Sequence, residues 1–312
     1  MRSKLSLIFL LCGGILIIVS ATFMSVKPNK SEKKDYKEAS SDVKKEKAQT
    51  YSPLIFTIED DDSKVYLVPS ISLGKSSISN FDSEILDLIE DKELVVEYNF
   101  TELDQLDYIK KFILDEDDYL YNYLNDDFNS KLIEFSNNHT KYNYDDYIHY
   151  NIGFNYNVID NLVYYEAGLT SDSLMNILIE KKKAMSNNKI SILETEDDRA
   201  SYTNSPKAEA FVLLIDDLIS NFDKYKKDYL NNYNNFINGD YAALNKYYNS
   251  IDMENEYYKT KVVDKNQEFK IDVADYLANN KEAVIVFDIE NVFGDYGLLK
   301  VLSEDYDVTL TN

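Results

Sequence analysis

Two apolar runs at opposite ends of the chain, KVYLVPS (64–70) and AVIVFDI (283–289), are each followed by a polar loop, a short helical pattern and another strand-like run. This doubled strand-loop-helix-strand pattern most limits the folds open to the chain. In the first unit, Phe81, Ile85, Leu88 and Ile89 share one helical face, and LVVEY (94–98) reads as the returning strand. In the second, ENVFGDYG forms a glycine-bearing loop, LLKVLSED a short helix and YDVTL (306–310) a closing strand. LIFTIE (54–59) and the turn DDDS add a hairpin partner to the first run. In open sheets of this kind ligands gather just beyond the carboxyl ends of strands, so the loops after residues 69 and 288 are expected to face one site.

Between the units lies a helix-rich middle. Its clearest element is 207–236, where Phe211, Leu214, Ile215, Leu218, Ile219 and Phe222 recur at helical spacing, and it reads as one long helix. A further strand, KISILE (189–194), ends on Glu194, much as LVVEY carries Glu97. The expected fold class is α+β: a small mixed central sheet from the two units, the hairpin and the KISILE strand, covered by helices. Acidic runs such as 115–127 lack the glycine and terminal glutamate of an EF-hand loop and read as a solvated helix face.

The amino-terminal part has a different character. Residues 5–26 are 22 uncharged, mostly apolar positions after Arg2 and Lys4, the length of one bilayer crossing, and read as a signal anchor or signal peptide (1–26). Val19-Ser20-Ala21 satisfies a cleavage pattern, and cleavage near Ala21 would release the protein. The apolar run continues to Val26, which favours an anchor. Residues 27–50 mix lysine with acid and lack large apolar side chains, so they read as a solvated linker, and the folded domain is expected at 51–312. The localisation expected is a single-pass membrane protein with its carboxyl-terminal domain outside the cytoplasm.

Residues 1–50 hold 10 basic and 5 acidic side chains, which leaves 23 basic and 51 acidic beyond them, a charge of about −28. Such a domain repels nucleic acid, so no nucleic-acid partner is expected. Cys12 is the only cysteine, so the chain forms no internal disulfide. Beyond residue 2 the only arginine is Arg199.

Taken in order, the hairpin, V-Y-L-P-S-I-S-L-G (65–74, with Val68 inserted in the run), L-V-V-E (94–97), K-I-S-I-L-E-T (189–195), N-G-D-Y (238–241) and G-D-Y-G-L-L (294–299) with the final Tyr306 and Val308 resemble the TraB/GumN family, related to the Tiki metalloproteases and the pheromone-shutdown proteins. The resemblance spans essentially the whole folded domain. It implies a metal-dependent hydrolase whose two G-x-x-H motifs supply histidine ligands. Here the first motif reads Pro69-Ser70-Ile71-Ser72 and the second Asp288-Ile289-Glu290-Asn291, so Ser72 and Asn291 stand at the histidine positions. The family's R-N pair reads Lys265-Asn266. Neither a hydroxyl nor an amide provides the basic lone pair of imidazole.

The resemblance therefore implies a remnant site at Ser70, Ser72, Glu97, Glu194, Asn266 and Asn291, with no confident catalytic residue and no cofactor expected. His139 and His149 lie in the tyrosine-rich middle without a metal-binding spacing. Three functional readings follow. The first is a membrane-tethered, catalytically inactive relative that binds a peptide or protein across the former active-site cleft. The second is a residual metal-dependent hydrolase in which Glu97, Asp288 and Glu290 provide oxygen ligands for a divalent cation. The third is an envelope scaffold whose tyrosine-bearing middle makes the contacts.

Overall fold

A computed structural model describes residues 54–75, 83–99, 102–170, 173–279 and 281–311. Of residues 1–53 it describes only the backbone of Ile8–Cys12 and Ile15–Val19, paired as two antiparallel strands where one helix was expected; the rest of the leader and the linker 27–50 lie outside the described residues. No helix among the described residues is long and apolar enough to cross a membrane.

The domain is built on a mixed six-stranded sheet. Its strands are β1 (Phe56–Glu59), β2 (Lys64–Ser70), β3 (Glu93–Val96), β4 (Ile190–Ile192), β5 (Ala283–Asp288) and β6 (Asp307–Leu310). Across the sheet they run β4-β3-β5-β2-β1-β6. Strands β4, β3, β5 and β2 are parallel to one another, while β1 is antiparallel to both β2 and β6. The α+β expectation holds.

The two units interlock instead of lying side by side. β5, from the end of the chain, sits between β2 and β3 of the first unit. The connection leaving β3 travels outward to β4, and the one leaving its neighbour β5 travels the opposite way toward β6. Adjacent parallel strands with diverging connections make a switch point, where a crevice opens at the carboxyl ends. The register sets those ends level: Val68 pairs with Val286 and Ser70 with Asp288, while Val96 also pairs with Val286. Burial explains the sequence of the central strand, since Ala283 through Phe287 are all inaccessible and a strand covered on both faces reads as an unbroken apolar run.

Helices cover the sheet. Ser83–Asp91 connects β2 to β3 and buries Ile85 and Ile89. Its carboxyl end is capped by the fully buried Lys182, whose Nζ donates to the carbonyls of Ile89 and Lys92 at 2.6 Å each. A cation at a helix carboxyl terminus satisfies orphan carbonyls and complements the helix dipole. The element expected as one helix over 207–236 is two, Ala208–Ser220 and Phe222–Ile237, broken at Asn221. There the backbone leaves the helical region (φ −120, ψ 26) and the side chain donates to the carbonyl and carboxylate of Asp217. Asparagine competes for backbone groups in this way, so the apolar stripe continues while its direction changes. The acidic run 115–127 is likewise no single helix face: a 3-10 turn, Leu120–Tyr123, precedes a helix that begins at Asp126.

Candidate functional site

Four strand ends assemble the site. β3 runs directly into Glu97 and β4 leads to Glu194, and the Glu194 N–H donates to the Glu97 carbonyl at 2.9 Å. The two glutamates therefore emerge side by side. Thr195 then starts the helix Glu196–Asn204 with a capping box: its Oγ1 accepts from the Asp198 N–H at 3.2 Å, and Asp198 accepts from the Thr195 N–H at 2.8 Å. Three residues apart on this helix, Arg199 and Tyr202 share a face that turns back over the strand ends.

Arg199 Nη1 donates to Glu97 Oε1 at 2.8 Å and to Glu194 Oε2 at 3.1 Å, so one guanidinium joins both carboxylates. Tyr202 Oη donates to the other oxygen of Glu194. The second oxygen of Glu97 accepts from the Asp288 N–H at 2.8 Å and from Asn291 Nδ2 at 3.2 Å. All four carboxylate oxygens are thus engaged. The Arg199 guanidinium also lies 5.4 Å from the Tyr98 ring and 5.8 Å from the Tyr202 ring, within cation-π range. Glu97 and Glu194 are 1% and 3% exposed, so this is a buried ionic centre.

Electrostatics follow from that burial. Loss of hydration raises the Glu97 carboxyl above its ordinary range, and the neighbouring Glu194 charge pushes the same way, against the pull of Arg199. Burial opposes the charge of Arg199 too, but the two glutamates hold its ionisation well above the usual value. Asp288 is pushed up to about 6, by burial first and then by the charges of Glu290 and Glu97.

Ser72 and Asn291 both reach this centre. Ser72 Oγ donates to Asp288 Oδ2, and Asn291 binds Glu97 as described. The loops after β2 and β5 therefore converge on one network, as their place in the sequence implies. Ser70 faces elsewhere: its Oγ accepts from the Met175 N–H at 2.9 Å and positions the helix Leu174–Lys183. Asn266, fully buried, donates to the carbonyls of Asn291 at 3.0 Å and Tyr296 at 2.8 Å, so it holds the second loop. Lys265 Nζ stands 3.7 Å from Glu194 Oε1.

Glu290 turns from the glutamate pair to Lys261, whose Nζ is 2.5 Å from its Oε2. Both line a narrow cleft of about 80 Å³ together with Ser72, Asp288, Arg199 and Tyr202. Its far wall is the helix Ile152–Glu166, which contributes Asp160 and Tyr164. Asp160 accepts from Tyr229 Oη, yet burial pushes its carboxyl up to about 7. This wall approaches closely because Gly153 has no side chain: a Cβ there would lie 2.4 Å from the Thr203 carbonyl. His139 is elsewhere, 3.3 Å from Glu166 and stacked on Phe135, and His149 packs on Tyr119.

A transition metal does not fit this donor set. A metal needs lone pairs free to converge on one point. Here both oxygens of each strand-end glutamate are occupied by protein donors, and a guanidinium already lies between them. No group of three or more His, Cys, Asp and Glu side chains among the described residues is arranged to hold a metal ion, and Glu97, Asp288 and Glu290 form no such set. The Oδ1 atoms of Asn266 and Asn291 are buried and find no hydrogen-bond donor among the described residues.

The switch-point crevice, two strand-end glutamates and a pair of converging loops define a class, an α+β domain whose centre lies beyond its parallel strands. Within that class the chain belongs to the TraB/PrgY/gumN family, whose profile it matches over residues 54–310. No curated protein and no solved structure matches it.

Arg199, Tyr202, Asp160 and Lys261 are the site residues that sequence reasoning missed. Arg199 carried a signal, as the only arginine beyond residue 2, and Asp160 is an acid within the apolar run NVIDNLV. Lys261 and Tyr202 had no local mark.

Proposed function

We propose that this chain is a TraB/GumN-like domain without hydrolase activity, carried outside the cytoplasm on its amino-terminal apolar segment, and that it binds a peptide or protein at the strand-end cleft. The observation that carries this reading is the saturation of Glu97 and Glu194 by Arg199, Tyr202, Asn291 and the Asp288 N–H, with Ser72 and Asn291 where the family's histidines would stand. A centre so engaged has every carboxylate oxygen committed to a protein donor and a guanidinium where a cation would bridge the pair, which disfavours a metal and the water it would activate. The cleft beside it keeps the features of a recognition surface. Tyr108, Tyr164 and Tyr257 offer stiff amphipathic walls, and Asn157, Asn161 and Glu290 offer hydrogen-bonding groups. The 22 uncharged residues at 5–26 support the membrane tether.

The test has two parts, both on the full chain in detergent. Elemental analysis after exposure to Mn²⁺, Co²⁺ and Zn²⁺ is expected to find no stoichiometric metal, and assays on peptide libraries no chelator-sensitive cleavage. Peptides selected by display against the protein are expected to lose at least tenfold in affinity on Tyr108→Ala or Tyr164→Ala. A bound metal that disappears in Glu97→Ala, with turnover, would overturn the reading.

One observation favours a second reading. Asp160 and Asp288 line the same cleft with carboxyls pushed to about 7 and about 6, the range in which a general acid and base operate near neutral pH. Peptide cleavage insensitive to chelators and abolished by Asp160→Asn would establish it.

A further inference from the structure

The missing imidazoles are only half of the difference from a metal centre. We propose that Arg199 is a built-in cation that excludes divalent metal from the strand-end centre, and that it would do so even if both histidines were restored. This rests on the reading of the centre as metal-free and extends it by assigning the exclusion to one side chain.

The geometry is specific. Glu97 and Glu194 stand just past the carboxyl ends of β3 and β4, and a backbone hydrogen bond of 2.9 Å ties their residues together. A pair of buried carboxylates this close cannot remain charged without a cation, because mutual repulsion adds to the loss of hydration. Arg199 provides it through a single nitrogen, Nη1, placed 2.8 Å from one carboxylate and 3.1 Å from the other. One donor shared by two carboxylates occupies the position that a bridging ion would take. The surroundings hold the guanidinium there: the Thr195 capping box fixes the helix, and the rings of Tyr98 and Tyr202 lie within cation-π range. Lys265 Nζ, 3.7 Å from Glu194, adds further positive charge.

A divalent ion entering beside this guanidinium would meet like charge in a low-dielectric setting and carboxylates whose oxygens are already satisfied. Restoring Ser72→His and Asn291→His supplies basic lone pairs from the two loops that already reach Asp288 and Glu97, but leaves the positive charge in place. Removing that charge frees Glu97 Oε1 and Glu194 Oε2 together.

The experiment compares three forms of the full chain in detergent: Ser72→His/Asn291→His, the same pair with Arg199→Gln, and the same pair with Arg199→Lys. Zinc content by elemental analysis and the visible absorption of added Co²⁺ are measured, with far-UV circular dichroism to verify folding. The Arg199→Gln form is expected to bind one metal per chain at least about 100-fold more tightly than the form retaining Arg199, and the Arg199→Lys form to stay weak. Equal affinity in the Gln and Arg forms, whether both tight or both absent, would overturn the proposal. If the Arg199→Gln form fails to fold, Arg199→Met takes its place: tight zinc in that form against weak binding with Arg199 present supports the exclusion, and stoichiometric, tight zinc with Arg199 present refutes it. Turnover by the unaltered protein would sink the functional reading without touching this comparison, which concerns only the engineered centres.

Discussion

Two openings among the described residues differ in character. The larger, about 480 Å³, lies beside the β1 and β6 edge of the sheet and is lined by Phe56, Tyr241, Leu299, Val308 and Leu310 in equal number with the polar Asn245, Asn249, Asp295, Lys300 and Ser303. The smaller, about 80 Å³, lies at the carboxyl ends of β2 and β5 and is walled by Asp160, Asp288, Glu290, Arg199 and Lys261. Space and chemistry have separated. A groove that mixes apolar side chains with solvated polar ones forms where a short edge strand meets a helix, at little energetic cost. Burying five ionisable groups in a narrow cleft is costly, and pairing or proton uptake makes it tolerable. Cost therefore distinguishes the strand-end cleft better than volume does.

The comparison is broken most severely by Arg199→Ala. Leaving Glu97 and Glu194 buried with no shared cation should destabilise the domain by about 3–5 kcal/mol in urea unfolding, and double replacement with Glu97→Gln should recover part of that loss. If Arg199→Ala costs less than about 1 kcal/mol, the centre is not an ionic keystone.

Gly153→Ala tests the cleft wall. A methyl group 2.4 Å from the Thr203 carbonyl forces the helices Ile152–Glu166 and Glu196–Asn204 apart, for an expected loss of about 1–3 kcal/mol. The same variant should weaken any cleft ligand, because Arg199 and Asp160 lie on the two helices that separate.

The pH dependence is smaller and its sign is definite. Asp160 and Asp288 are raised to about 7 and about 6, whereas the unfolded chain releases those protons near 3.8. Between about pH 4 and 7 the folded state thus holds more protons than the unfolded one, and this contribution to stability is complete below pH 3.8 and is lost as pH rises through 6 and 7. Asp160→Asn should raise the Tm at pH 8 by an amount corresponding to on the order of 1 kcal/mol, reduced from the full shift because the side chain opens on the cleft, and should flatten the fall in stability between about pH 4 and 7. A pH profile unchanged by this substitution would remove Asp160 from the account.

The groove at the β6 edge should respond least. Leu310 is 49% exposed, so Leu310→Ala is expected to change stability by less than about 1 kcal/mol and to leave cleft binding intact. A loss of peptide affinity in this variant would move the recognition surface to the opposite edge of the sheet.

Much of this arrangement is legible in the sequence because it depends on near neighbours. The alternation and apolar runs mark the strands, and the two loops after them carry Ser72 and Asn291 to one place, since parallel strands put their carboxyl ends on the same side. Glu97 and Glu194 are readable for the same reason, each lying just past a strand. The break at Asn221 was not readable, because an apolar stripe persists through a change of helix direction and only the backbone records the turn.

What the sequence by itself determined is the strands of the sheet, the family and the presence of Ser72 and Asn291 in the two strand-end loops, all of which follow from residue type and spacing along the chain. Only the tertiary structure decided that β5 inserts between β2 and β3, that Glu290 pairs with Lys261 and not with Glu97, and that Arg199 closes the glutamate pair. The physical reason is that the balance of charge in a buried site depends on distances of about 3 Å between residues about a hundred positions apart, as between Glu97 and Arg199.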